Sequence, residues 1–511
     1  MTASDRNLFT VLQRRWPTRD RVFLHPPQGE PLTYGDLETR TGQLANALVA
    51  CGVKPGDRVA AQVDKSPEAF FLYLACLRAG AAFLPLNTAY TLAELEYFIA
   101  DAEPALVVCR PDSAEATRAL CSKHGVGACH TLDAHGEGTL TELARSQPMQ
   151  FDTVPRSEDD LAAMLYTSGT TGRAKGAMLT HRNLASNAEA LAEWWRFTSD
   201  DVLLHALPIF HTHGLFVASN VTLWSGAAMI FLPRFDADEI FRCLPRATAM
   251  MGVPTFYVRM VADPRLNREA TAHMRVFISG SAPLLPETFR EFETKTGHRI
   301  LERYGMTETS MNSSNPYEGN RVPGAVGFAL PGVEIRVTEP ETGVVLPQGE
   351  IGMIEVRGPN VFKGYWRMPE KTAAEIRGDG FFITGDLGKF DAAGYLHIVG
   401  RSKDLVISGG FNVYPKEVES EIDEIPGVVE SAVIGVAHPD FGEGVAAIVV
   451  AHSDADLSEH QVIERLRARL AAYKVPKRVI FVDAFPRNAM GKVQKNVLRD
   501  TYKGLFSAAA A

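Results

Sequence analysis

Four stretches carry residue types at spacings that chemistry can use. The first is Tyr166-Thr167-Ser168-Gly169-Thr170-Thr171-Gly172-Arg173-Ala174-Lys175-Gly176, with three glycines, four Ser/Thr hydroxyls and two cations. Glycines let backbone N–H groups approach phosphate closely, and hydroxyls and lysine add donors. The stretch is either a loop that wraps nucleotide phosphates or a Gly/Thr-rich surface turn. Two familiar loops are excluded by spacing: Lys175 is followed by Gly176 rather than Ser or Thr, and no Gly-x-Gly-x-x-Gly occurs there. The second stretch is Arg303-Tyr304-Gly305-Met306-Thr307-Glu308-Thr309. Tyr304 can stack on a base and Glu308 can hold a magnesium ion that bridges phosphate oxygens; the alternative is a turn with a helix cap. The third is Phe382-Ile383-Thr384-Gly385-Asp386 with Gly400-Arg401 after it. An aspartate such as Asp386 can accept from both ribose hydroxyls. The fourth, Pro486 to Lys495, carries Gly491-Lys492, and a loop lysine is ordinarily solvated surface.

Two further residue sets are more ambiguous. His211 and His213 in Phe210-His211-Thr212-His213-Gly214 lack a third ligand, so the zinc signal is weak. On an extended segment both would point the same way and line a pocket. Arg259, beside Met260 and Val261, reads on its own as a solvated helix-face arginine.

These residues need elements to hold them. The chain has 511 residues, too many for one core, so two or three domains are expected. The region 1–160 alternates helical and strand patterns, as in Glu68–Ala79 and Gly80–Leu86, with nothing catalytic in it. Leu161–Leu165, Val202–Ala206, Ala228–Leu232 and Arg275–Ser279 read as strands. In open α/β sheets, ligands sit beyond the carboxyl ends of such strands, where Phe210–Gly214, Gly252–Thr255 and Ser279-Gly280-Ser281 fall. Residues 320–400 are turn-rich and β-rich. After Arg401, Pro415 opens a helix and Ser458-Glu459-His460-Gln461 is a capping box. The expected fold class is α/β: a large N-terminal domain, 1–402, of parallel sheets with helices plus a small β-barrel-like subdomain, and a small mobile α+β C-terminal domain, 403–511.

The net charge of −9 argues against a non-specific nucleic-acid binder. Six scattered cysteines without a Cys-x-x-Cys pair suit reduced thiols. With no long apolar run and no apolar h-region at the start, a cytoplasmic protein without membrane association is expected.

Taken together, these motifs resemble the adenylate-forming superfamily of acyl-CoA synthetases, peptide adenylation domains and luciferases, from Thr33-Tyr34 to Lys492. The resemblance makes residues 166–176 the phosphate loop, with Thr167, Ser168, Gly169, Thr170, Thr171, Gly172 and Lys175 on ATP. It adds Ser281, Arg303, Tyr304, Gly305 and Thr307 to the nucleotide site, Asp386 and Arg401 to the ribose, Glu308 to magnesium and Lys403 to a hinge. It makes Lys492 the catalytic lysine, with Glu308 and His211 assisting, and puts Ser408, Gly409 and Gly410 on coenzyme A. Ala174 departs from the proline usual there, which loosens the loop without removing a donor.

Within the superfamily, Phe210–Gly214, Val258-Arg259-Met260, Ser279–Ala282 and Glu302–Asn312 resemble malonyl-CoA synthetases. That implies Arg259 on the second carboxylate of malonate, with Thr212, His213, Ser281, Met306 and Met311 around it. Thr212 and Met311 would bound the space at the α-carbon, where methylmalonate must fit. ATP, coenzyme A and Mg2+ are the implied cosubstrates and cofactor. An exposed, obligatorily cationic Lys492 is an expected target for a lysine acetyltransferase. Rival readings are a CoA ligase for another short-chain or aryl acid, an acyl-carrier loading module, for which the lack of a carrier domain after residue 511 disfavours a multidomain synthetase but not a partner in trans, and a non-enzymatic ATP-binding protein.

Overall fold

The structure is a computed structural model that describes residues 5–167, 174–408, 411–453, 455–488 and 491–506. The chain divides into two compact units, Met1–Ile335 with Val356–Phe382, and Arg336–Glu355 with Ile383–Ala511.

The first unit is built on two large sheets. One runs in the order Gly364–Tyr365, Lys175–Thr180, Leu161–Thr167, Ala82–Pro85, Arg58–Gln62, Leu106–Cys109, Ala128–Thr131. Its strands from Leu161–Thr167 onward pair in parallel. The other has six parallel strands, Leu301–Met306, Val276–Ser279, Ala249–Gly252, Val202–His205, Ala228–Phe231 and Val22–His25. Antiparallel strands close its two edges. Parallel strands buried on both faces need continuous apolar runs and helices on either side, and these sequences supply both. The helix Pro67–Arg78 is the extreme case, because every residue from Ala69 to Arg78 is buried. Phe70 stacks toward Phe231 of one sheet and Tyr73 toward Phe83 of the other, with centroids 6.0 and 5.7 Å apart. A helix wedged between two sheets has no face to leave polar. Ser66 caps it and Pro67 occupies its first turn.

The second unit has a sheet ordered Phe411–Val413, Val406–Ser408, Gly442–Ala451, Val428–His438, with Arg478–Phe481 added to Gly442–Ala451. The helices Pro415–Asp423 and Glu459–Arg467 bury Val418, Ile422, Val462 and Leu466 against it. The β-rich segment forms a sheet in the open order Glu334–Thr338, Gly352–Arg357, Phe382–Phe390, Leu396–Arg401. Most of this sheet clusters with the C-terminal residues, whereas the sequence put it with the N-terminal domain up to residue 402. Within it Glu355 is fully buried and pairs with Arg336 at 2.8 Å.

The segment around His211–His213 differs from the extended one expected. Thr212 is helical, with φ −48° and ψ −46°, and His213–Ser219 is a π-helical turn. Strand alternation therefore does not align the two histidines.

Candidate functional site

The phosphate-side residues of the first unit are set by a β-hairpin. Leu161–Thr167 pairs antiparallel with Lys175–Thr180, so that Thr167 faces Lys175. Ser168, Gly169, Thr170, Thr171 and Gly172 lie outside the described residues. Tyr166 anchors the near side of the hairpin, its ring 4.5 Å from that of Phe98. Ala174, which lacks proline's fixed φ, has its carbonyl gripped by the Tyr97 hydroxyl at 2.7 Å.

A carboxylate cluster stands beside this hairpin. Glu308 is nearly buried; its Oε1 accepts from the Tyr365 hydroxyl at 3.0 Å and from Thr167 Oγ1 at 3.4 Å. The same Tyr365 hydroxyl reaches Glu375 Oε2 at 2.7 Å. Lys175 Nζ lies 3.5 Å from Glu375 Oε1 and 3.9 Å above the Tyr365 ring. Burial, reinforced by the two carboxylates, pushes the Tyr365 phenol upward, so it stays a donor. Thr167, Lys175 and Glu308, expected from the sequence, are thus brought together by Tyr365 and Glu375, which were not. A buried carboxylate with an adjacent hydroxyl fits a hard cation that takes few protein ligands and the rest from water and phosphate. Glu308 and Thr167 would hold Mg2+, which would neutralise phosphate charge. Tyr365→Phe is expected to lower kcat/KM for Mg-ATP about 10–100-fold, as losing a partner that orients a metal ligand does, with the KM for the acid unchanged. Steady-state kinetics with ATP varied checks this.

The nucleotide and acid motifs lie at the carboxyl ends of the second sheet's strands. Tyr304 is buried near the end of Leu301–Met306, which turns into Ser310–Ser314. The register shifts at Tyr304/Gly305. A Cβ on Gly305 would lie 1.9 Å from the Ser310 carbonyl oxygen, so only glycine fits the turn. Met311 is buried beside Gly305, while Met306 and Thr307 are half-buried. Arg303, one residue before Tyr304, is 4 % exposed, and its Nε and Nη2 have no hydrogen-bond partner among the described residues. Burial without a paired anion pulls its pKa down to about 9. Gly280 makes room for it, since a Cβ there would lie 2.4 Å from the guanidinium carbon. Burial and then the Arg303 charge hold His213 well below the usual imidazole range. His213 Nδ1 is 3.3 Å from Ser281 Oγ, and Ser281 takes a left-handed φ of 74°. His213 Nε2, Thr212 Oγ1 and Ser279 Oγ are likewise buried without partners among the described residues. Buried donors of this kind are costly unless a ligand satisfies them. His211 is half-buried, edge-on to Phe210.

Arg259 is placed differently from Arg303. It is exposed on the helix Pro254–Ala262, its guanidinium 5.8 Å from the Phe235 ring. The desolvated cation is Arg303. No group of three or more metal-ligating side chains occurs among the described residues.

In the second unit, Asp386 and Arg401 face each other on neighbouring strands, with Arg401 Nε 3.0 Å from Asp386 Oδ1. Thr384 Oγ1 accepts from the Asp386 N–H and donates to the Ile354 carbonyl, which fixes the turn. Lys403 sits in the single turn Ser402–Asp404, and Asp404 pairs with Arg499. Ser408 is buried at its strand end; Gly409 and Gly410 lie outside the described residues. Lys492 is exposed. Its loop is closed by Lys492 N–H to Asn488 Oδ1 at 3.0 Å and Arg487 Nη1 to the Gly491 carbonyl at 2.7 Å.

A family profile described as AMP-binding enzyme matches residues 12–366, and one described as AMP-binding enzyme C-terminal domain matches residues 417–492. The chain belongs to the AMP-binding enzyme family. Among its relatives in this family, a feruloyl-CoA synthase of an Amycolatopsis species is 37 % identical, over 95 % of this chain and 98 % of that protein. A malonate–CoA ligase of Arabidopsis thaliana is 35 % identical, over 91 % and 81 %. The crystal structure of ATP-bound MatB from Rhodopseudomonas palustris matches with TM-score 0.97 and 62 % identity, over 98 % of this chain and all of that one. The fold is the mixed α/β fold of this family, with a separate C-terminal domain. No helix among the described residues is long and apolar enough to cross a membrane.

Proposed function

We propose that this AMP-binding enzyme is a malonate–CoA ligase, converting malonate, ATP and coenzyme A to malonyl-CoA, AMP and diphosphate. The observation that carries this reading is Arg303, a buried guanidinium with unpaired N–H groups beside Gly280. An acid whose far end is apolar would leave that charge uncompensated. Malonate brings a second, non-reacting carboxylate that a guanidinium can take in two parallel hydrogen bonds. His213 meets Ser281 and feels the Arg303 charge, and Thr212 precedes it on the same turn. The relationship to a malonate–CoA ligase supports the same substrate.

In the first half-reaction one carboxylate oxygen of malonate attacks the α-phosphorus of ATP, and the bond to the leaving diphosphate breaks. Positioning and charge stabilisation are the protein's share of this step. Lys175 and the phosphate loop hold the outer phosphates, Tyr304 packs on adenine, Asp386 and Arg401 hold the ribose. Lys492 spans the carboxylate and the α-phosphate. In the second half-reaction the C-terminal domain turns about Lys403, and residues 408–410 approach coenzyme A. The thiol sulfur then attacks the acyl carbon and AMP leaves. Acetylation of Lys492 would remove its charge and stop the first step alone.

Incubation with ATP, coenzyme A and a panel of malonate, methylmalonate, propionate, benzoate and ferulate tests the reading. Mass spectrometry should find malonyl-CoA as the main product, with methylmalonyl-CoA next. Feruloyl-CoA or benzoyl-CoA as the main product would assign the chain to the aryl-acid ligases instead.

A further inference from the structure

Lys65 lies in the turn between the strand Arg58–Gln62 and the helix Pro67–Arg78, in a region where the sequence shows nothing catalytic. Its ammonium donates to the carbonyls of His205 at 2.8 Å and Leu207 at 2.9 Å, and to His205 Nδ1 at 3.0 Å. These three bonds use all of its protons. Its other neighbour is the Phe231 ring, 4.2 Å away. Burial pulls the Lys65 pKa well below the usual lysine range. An ammonium held by carbonyls and an imidazole alone is a costly way to fill a core, because an apolar chain of the same length would pack with less desolvation. Its benefit is therefore geometric.

The geometry continues beyond His205. Burial and the Lys65 charge keep that imidazole neutral. Since Nδ1 accepts from Lys65, the network assigns the ring proton to Nε2, which lies 2.9 Å from the Gly214 carbonyl. Ser219 Oγ donates to the same carbonyl at 2.9 Å. Gly214 is locked from the other side too, as a Cβ there would lie 2.0 Å from the Pro208 carbonyl oxygen. This carbonyl belongs to the first turn of the π-helix His213–Ser219, whose first residue meets Ser281. Ser219 belongs to the same π-helix, so His205 is the donor that ties the turn to the strand Val202–His205.

We propose that Lys65 is a positioning residue for the acid pocket, acting through His205 and the Gly214 carbonyl on the turn that carries Thr212 and His213. The inference rests on reading that pocket as the acid site. It does not require that the acid be malonate.

The test uses the full-length enzyme and the acid that the wild type activates best. Lys65→Met should raise the KM for that acid about tenfold or more, within the about 10²-fold that an error of about 1 Å in positioning can cost, with the KM for ATP within twofold and no fall in Tm. Lys65→Gln, which keeps two N–H donors, should recover most of the loss. His205→Leu breaks the same chain one link further on and should reproduce the acid-specific rise, and the double variant should be no worse than the worse single one. An acid KM unchanged in both single variants overturns the proposal, as do equal rises for acid and ATP, or additive effects in the double variant. Wild-type enzyme inert toward malonate but active on another acid would contradict the malonate reading alone and leave this test in force.

Discussion

Lys492→Ala is expected to slow malonyl-adenylate formation about 10²–10³-fold, the scale of removing one donor that meets developing charge in a reacting site. Thioester formation from supplied malonyl-adenylate should stay within a few-fold of wild type. The reason is electrostatic: attacking carboxylate and α-phosphate are both anions, and their approach needs a cation between them. The substitution leaves the loop itself in place. Lys492 contributes its backbone N–H to Asn488, while Arg487 holds the Gly491 carbonyl and pairs with Glu430. A folded variant is therefore expected, and rapid-quench measurement of each half-reaction separates the two effects. Adenylation at near wild-type rate would remove Lys492 from the first step.

Arg303→Leu is expected to lower kcat/KM for malonate about 10²–10³-fold or more, since truncating one partner of a buried charge pair costs roughly 2–5 kcal/mol. The value for propionate should hold or rise, because the variant no longer leaves a buried charge unpaired. Tm should not fall, since in the absence of substrate the guanidinium is an uncompensated buried cation. Arg303→Lys should rescue poorly, as an ammonium cannot make the two parallel bonds of a guanidinium. Arg259→Leu is the comparison. An equal or larger loss of malonate selectivity there would move the charge-reading role to the helix Pro254–Ala262, where the family resemblance alone puts it.

The difference between the two arginines illustrates what the sequence can and cannot carry. Arg303 stands next to Tyr304, and the resemblance groups it with the nucleotide, whereas its proposed place at the acid is what the Arg303→Leu kinetics test. Along a strand, however, successive side chains point to opposite faces, so neighbours in sequence need not share a ligand. The strand–helix alternation, the strand at Leu161–Leu165 and the capping box at Ser458 were legible because each is a local pattern. Tyr365 and Glu375 were not, since Tyr365 reaches Glu308 from a short edge strand and Glu375 meets Tyr365 from a helix, neither of which carries a motif. Lys65 was invisible for a similar reason: its partners are backbone carbonyls and an imidazole 140 residues away. The π-turn at His213 escaped because one of the bonds that hold it, from His205 Nε2 to the Gly214 carbonyl, comes from a strand outside the turn. The small sheet was recognised as β-rich, but its grouping with the C-terminal residues depends on long-range contacts that turn signals do not encode.

The central claim is that a buried, unpaired guanidinium selects a dicarboxylate. The ratio of kcat/KM for malonate to that for propionate, measured by AMP formation at saturating ATP and coenzyme A, tests it most directly. The expected ratio is at least about 10³, because a site built to pair a charged group strongly rejects the analogue that lacks it. A ratio near one, or a higher kcat/KM for ferulate than for malonate, would contradict it.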